Sequence, residues 1–266
     1  MSNPLKKLAS QTAVYGLGSV LPRVITFLYS FVLTYIFERP SELSANTEFY
    51  AYISFLNILF TYGLETAFFH FSNKVEDKSR VYSTAIISIF GSSIGLSLLF
   101  ILFSGSIADF IKEPEHVNYI IWCVLIVATD AMMAIPFARL RLNNQARKFG
   151  MLKLLNVFVF ILICIFYFNI CKPAYFNEPD SAFAKFYNPE VGVGYMFLAG
   201  LLANLVSLLF LAKEFTGIQY VFDKELWKQM LRYAWPLLIL GFAGMINETF
   251  DRFILKYLLP EEVAKT

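Results

Sequence analysis

The sequence predicts an all-α protein that crosses a membrane several times, and three observations lead there. Hydrophobic residues make up 58% of the 266 and charged residues 16%, with a mean hydropathy of +0.58, whereas soluble domains run at roughly 45–50% apolar and about 25% charged. Long stretches carry no Asp, Glu, Lys or Arg: 24–37, 49–64, 81–108, 116–129, 154–171, 191–212 and 233–247. The alternation of apolar and polar residues in ten-residue units that marks a membrane β-barrel is absent. Helices are then what satisfies the backbone groups inside hydrocarbon.

A helix needs about 20 residues to cross, and each run reaches that length once at most a few interior ionisable residues are admitted. The first crossing, 13–37, admits Arg23 behind Pro22, and the second, 47–71, admits Glu65. The third, 82–108, is free of charge. The fourth, 117–137, holds Asp130 and Pro136, and the fifth, 151–171, has Lys153 near its start. The sixth, 191–212, is uncharged, and the seventh, 233–257, contains Pro236 and the cluster Asn247, Glu248, Asp251 and Arg252.

Positive charge orients these crossings. One set of connections holds Lys6 and Lys7; Lys74, Lys78 and Arg80; Arg139, Arg141, Arg147 and Lys148; and Lys213, Lys224, Lys228 and Arg232. The opposite set has only Arg39, Lys112, Lys172, Lys185, Lys256 and Lys265. The N-terminus is therefore expected in the cytoplasm, which argues against a rhodopsin-type receptor. Apolar character continues past Arg23 and no small-x-small site closes it, so the first crossing does not read as a removable signal sequence.

The remaining composition excludes several classes. The net charge of +2 offers no polyelectrolyte surface for nucleic acid. Cys123, Cys164 and Cys171 sit in or at the end of apolar runs and show neither a disulfide framework nor a zinc spacing. His70 and His116 complete no metal or catalytic set, and no cofactor is expected. No nucleophile with a base, H-E-x-x-H motif or phosphate-cradling Gly loop is present, so an enzyme is not expected.

Two segments read as amphipathic helices on the cytoplasmic surface: PLKKLASQT near the N-terminus, and 223–233, where Leu226, Trp227, Met230 and Leu231 recur opposite Lys224, Lys228 and Arg232. The expected organisation is an interfacial arm over 1–12, a six-helix lobe over 13–212, a cytoplasmic amphipathic connection over 213–232, and over 233–266 the first helix of a second lobe. The polar cluster of the seventh crossing needs partners from helices beyond it. The chain is therefore expected to be a truncated form or the front part of a longer protein, and to be transport-incompetent alone because half of the cavity wall is missing.

Candidate chemistry rests on the intramembrane polar residues, each costing about 2.5–3.5 kcal/mol on insertion scales unless compensated. Arg23 lies midway along its crossing. It is either a cavity cation whose guanidinium binds two phosphate oxygens at once or the partner of a carboxylate, Glu65 or Asp130, holding the lobe together. Those two acids are alternatively carriers of a coupling cation.

The runs TYGLETAFFHFSNK, IPFARLRLNNQARKFGMLKLLNV and RYAWPLLILGFAGMINETFDRFILKYLLP resemble the polysaccharide-exporter, or O-antigen flippase, branch of the multidrug/oligosaccharidyl-lipid/polysaccharide flippase superfamily. The resemblance spans essentially the whole chain, with the third run the strongest. It implies two six-helix lobes around a cavity that opens alternately to each side, of which this chain supplies the first lobe and the seventh helix. It also implies a bacterial inner-membrane location and a lipid-linked oligosaccharide substrate, with membrane lipid, glycosyltransferases and a polysaccharide polymerase as partners in O-antigen or lipopolysaccharide assembly. Arg23 resembles the cavity cation of the related lipid II flippases. The family commonly has Arg at the position of His70, and that departure leaves no anion-contact role to carry over there.

The expected function is flipping of a polyprenyl diphosphate-linked oligosaccharide, with Arg23, Glu65 and Asp130 in the cavity and Arg139 and Arg141 drawing in the head group. A cation-coupled multidrug exporter of the same superfamily is the nearer alternative. A membrane glycosyltransferase or polymerase is the further one, with Glu178, Asp180 and Glu190 in loop 172–190 as its only candidate outer-loop acids. The orientation predicts that, in a Cys-free background, Asp180→Cys reacts with an impermeant maleimide from outside and Asn144→Cys only after permeabilisation. The reverse pattern would place the N-terminus outside.

Overall fold

The computed structural model describes residues 16, 18, 20–22, 24–29, 31, 32, 40–216 and 221–258, the side chains of 40–45 and 248–258 excepted. The described residues contain helices and turns and no strand. The helices are α1 (Pro40–Thr61), α2 (Leu64–Lys74), α3 (Lys78–Leu102), α4 (Ser104–Phe110), α5 (Val117–Leu142), α6 (Ala146–Ile165), α7 (Lys172–Asn177), α8 (Gly194–Leu211) and α9 (Lys224–Leu258). Ahead of them, the described residues between Gly16 and Val32 are also helical.

Five stretches are long and apolar enough to cross a membrane: Lys78–Leu102, Pro114–Leu142, Ala146–Asn177, Gly194–Phe215 and Lys224–Asn247. They correspond to the third to seventh predicted crossings, and the protein is an all-α multi-pass membrane fold. The shorter apolar stretch Val20–Tyr29 lies in the first crossing. The second crossing departs from expectation, because it is divided at Tyr62 and Gly63 into α1 and α2.

The seventh crossing departs too. The segment 223–233 and the crossing after it form one helix, α9, with Pro236 inside. Proline cannot donate to the carbonyl four residues back and crowds it. That carbonyl belongs to Arg232, whose residue is exposed, so the lost hydrogen bond does not fall in the packed interior. The apolar side of 223–233 meets protein: Leu226, Met230 and Ala234 are buried as α9 packs on α2 and α3.

The chain forms two compact units, Met1–Leu43 with Arg139–Phe215 and Ser44–Ala138 with Thr216–Thr266. In the first, α6 and α8 run together, and Asn156 Nδ2 donates to Asn204 Oδ1 and Ser207 Oγ, both at 3.0 Å. Such side-chain bonds hold helices together where hydrocarbon supplies no hydrophobic drive. A π-helical segment, Phe166–Cys171, extends α6 into α7. Loop 172–190 folds over Tyr195, whose ring stacks on Tyr167 at 4.1 Å. The Tyr195 hydroxyl accepts from Asn188 N at 2.8 Å and donates to the Phe186 carbonyl at 3.2 Å.

The turn between α5 and α6 closes by backbone geometry. Asn144 is left-handed (φ 56°), its N–H reaches the Arg141 carbonyl, and the Gln145 N–H reaches Leu140, the Schellman pattern of a helix end. This brings Arg139 and Lys148 to Glu214, which is buried. Arg139 donates to the Glu214 carbonyl at 2.9 Å, and Lys148 donates to its carboxylate.

Close backbone approach in the first unit depends on Gly18, where an added Cβ would come within 2.8 Å of the Gly150 Cα. Backbone on both sides leaves nothing flexible to move. Gly18→Val is expected to destabilise the protein by about 1–3 kcal/mol, read as a lower thermal midpoint. Gly16→Val, with nothing within 4 Å of its Cβ, is expected to leave the midpoint unchanged to within the scatter of an ordinary surface substitution.

Candidate functional site

The break in the second crossing organises the second unit's most distinctive chemistry. Tyr62 has φ 35° and Gly63 φ 69°, so the chain turns through the left-handed region on two successive residues. Glycine accepts this without steric cost, but a bulky side chain is strained there by about 1–3 kcal/mol and must be held by its surroundings. Tyr62 is so held. Its hydroxyl is 2.8 Å from Ser88 Oγ and accepts from Ser92 Oγ at 3.4 Å. Gly63 is needed for a second reason: an added Cβ would meet the Ala234 carbonyl and Leu237 Cβ of α9, each at 3.1 Å.

Trp227 completes the network from α9, its Nε1 donating to Ser88 Oγ at 2.7 Å. At the neighbouring end of α3, the backbone N–H groups of Val221 and Asp223 donate to Ser83 Oγ and Thr84 Oγ1. Arg80 pairs with Asp223 at 2.6 Å. Below this polar seam lies a cavity of about 500 Å³ lined by Tyr62, Ile87, Ser88, Gly91, Ser92, Phe222, Trp227 and Leu231. Its wall is almost wholly apolar surface.

The structure distributes the expected site residues as follows. Arg23 lies outside the described residues. Glu65 is half-buried in the first turn of α2, where a carboxylate is favoured by the positive end of the helix dipole. Asp130 is half-buried within α5. Arg139 is engaged with Glu214 as described, and Arg141 lies over the Phe149 ring at 5.5 Å. Asn247 is exposed on α9, and the side chains of Glu248, Asp251 and Arg252 lie outside the described residues. His70 is exposed and stacks on Tyr233 at 4.4 Å with the rings 13° apart. The acids Glu178, Asp180 and Glu190 of the segment 172–190 are exposed. Among the described residues no group of three His, Cys, Asp or Glu could hold a metal ion.

Reading the sequence missed Tyr62, Ser88, Ser92, Trp227 and Glu214. One signal for the break was present: Gly63 interrupts an apolar run two residues before an acid, the pattern of a helix start. Nothing in the sequence linked Trp227 to Ser88, which are brought together only by the packing of α9 on α3.

Because Tyr62 and Trp227 share Ser88 as partner, their contributions should not add. Tyr62→Phe and Trp227→Phe are each expected to lower stability by about 1 kcal/mol. In a double-mutant cycle on the detergent-solubilised protein, a coupling of about 0.5 kcal/mol or more is expected. Strict additivity would mean that the two hydrogen bonds do not depend on one another.

In comparison with known families, the model described as polysaccharide biosynthesis protein matches residues 7–264. Comparison with curated proteins and with solved structures gave no match. The matched family is that of the flippases of the multidrug/oligosaccharidyl-lipid/polysaccharide superfamily, such as the O-antigen flippases, and its members are typically transporters. With almost its full length matched and its helices built to cross a membrane, the chain belongs to the polysaccharide biosynthesis protein family of membrane transporters.

Proposed function

We infer that this transporter moves a polyprenyl diphosphate-linked oligosaccharide across the bacterial cytoplasmic membrane by alternating access, supplying surface polysaccharide assembly such as that of O-antigen. The observation that carries this reading is the family match over residues 7–264, joined to helices that span a membrane. The N-terminus lies in the cytoplasm, as the distribution of Lys and Arg requires. Partners are the lipid-linked substrate, membrane lipid and the glycosyltransferases and polymerase that act before and after the crossing.

Arg23 contacts the diphosphate in this reading, with Glu65 and Asp130 as the acids of the cavity and Asn247, Glu248, Asp251 and Arg252 facing it from the seventh crossing. A planar guanidinium matches two phosphate oxygens at once, which an ammonium cannot do. The divided second crossing supports a moving transporter, since interrupted membrane helices occur where a backbone lines a polar path or changes shape.

The test measures membrane abundance and surface polysaccharide together, in a strain lacking the native full-length protein and complemented with variants. Arg23→Lys is expected to impair export with abundance near normal. If Arg23 instead serves as a buried ion-pair partner, its loss strands a carboxylate at about 3–5 kcal/mol and abundance falls. Arg23→Ala combined with Glu65→Gln or Asp130→Asn would then restore both abundance and export, which would retire the cavity role.

A further inference from the structure

We propose that the segment Val221–Asp223 is a latch that fastens the start of α9 to α3 and is released when the transporter changes state. The proposal rests on the transport reading above, because alternating access is what requires α9 to part from α3.

The fastening is made of polar contacts. The backbone N–H groups of Val221 and Asp223 donate to Ser83 Oγ at 2.9 Å and Thr84 Oγ1 at 3.2 Å, and both hydroxyl residues are fully buried. Arg80 Nη2 meets Asp223 Oδ2 at 2.6 Å. The side chains of the segment add little apolar hold on α3. Val221 is 51% and Phe222 43% exposed, and the Phe222 ring lies 5.7 Å from that of Trp227, on α9 itself.

The segment belongs to α9 rather than to α3. Asp223 Oδ1 accepts from the N–H groups of Glu225 and Leu226 at 3.0 and 3.1 Å, and the Asp223 carbonyl accepts from Trp227 N at 2.8 Å, the contacts of a helix N-cap. The cap uses Oδ1 and the ion pair uses Oδ2. The carboxylate can therefore let go of Arg80 without uncapping α9.

The released state leaves its polar groups answered. Serine and threonine within a helix can turn their hydroxyls to the carbonyls three or four residues back, which serves Ser83 and Thr84. The Arg80 side chain is 53% exposed, and an exposed ion pair adds little to stability. Lys224, Glu225 and Lys228 beside the segment are exposed charges, which hydrocarbon accommodates poorly, so the two N–H groups have polar surroundings to turn to. Contacts that both sides can replace make a two-state element that a modest bias can tip. The next tie, Trp227 to Ser88, lies one turn further along both helices, so separation of α9 from α3 begins at the latch.

Two arms test this on the native full-length protein, made Cys-free, in membrane vesicles. In the first, Ser83→Cys and Val221→Cys are bridged by a short bis-methanethiosulfonate that dithiothreitol cleaves. Bridging is expected to lower translocation of lipid-linked oligosaccharide about tenfold, with recovery on cleavage. In the second, Thr84→Cys alone is reacted with N-ethylmaleimide. Its rate is expected to rise about threefold when Arg80→Gln is added and to return toward the parent rate with Arg80→Lys, which keeps the ion pair. Translocation unchanged by the bridge overturns the proposal. So does a Thr84→Cys that stays unreactive, or that reacts equally with and without Arg80→Gln, and this arm decides if the double-cysteine protein fails to accumulate. Absence of translocation in the parent vesicles would sink the transport reading by itself, while the maleimide rates would still score the latch.

Discussion

A helix inside hydrocarbon cannot stop without its exposed backbone groups being answered by protein, and the second unit is arranged around that constraint at Tyr62 and Gly63. The turn lets α2 start afresh with Glu65 in its first turn, which sets a negative charge at the positive end of the helix dipole. The cost in backbone strain is met by hydroxyls from α3, and the absence of a side chain at Gly63 lets α9 pass close against the turn. Phe60, Leu64, Met230 and Ala234, all buried, are the packing that this crossing makes possible. Remove the turn, and neither the cavity nor the seat for Trp227 has a reason to exist.

The first unit solves its assembly differently. Its helices join through the amide and hydroxyl contacts of Asn156, Asn204 and Ser207 in mid-helix and through the Glu214 clasp beside the α5–α6 turn. Aromatic rings gather at the other end, around Tyr195. Polar contacts at depth and flat rings at a boundary follow from what each zone of a bilayer can solvate.

Much of the architecture was legible because membrane crossings are written in composition. Runs such as 81–108 and 191–212 needed no tertiary information, and α3 and α8 occupy them. Two details were not legible, the break in the second crossing and the continuity of 223–233 with the seventh, and for opposite physical reasons. Around Tyr62 the local sequence is apolar throughout, and a hydropathy profile cannot register a change in φ. At 223–233 the amphipathic pattern was real, but the same apolar face fits lipid or the side of another helix. The match of Trp227 to Ser88, and of Arg139 and Lys148 to Glu214, depended on residues more than 60 positions apart. Periodicity carries no record of such pairs.

The unbroken course of α9 has a mechanical meaning. Thirty-five residues in one helix make a rod of about 52 Å, well beyond the roughly 30 Å of hydrocarbon. Its one proline, Pro236, falls between Ala234 and Leu237, the residues that flank Gly63 of the second crossing, so the hydrogen bond missing from the rod is missing there. The arm toward Lys224 is only about 15 Å long and the arm toward Leu258 more than 30 Å. A bend at Pro236 would therefore swing the longer arm through about twice the travel of the shorter one.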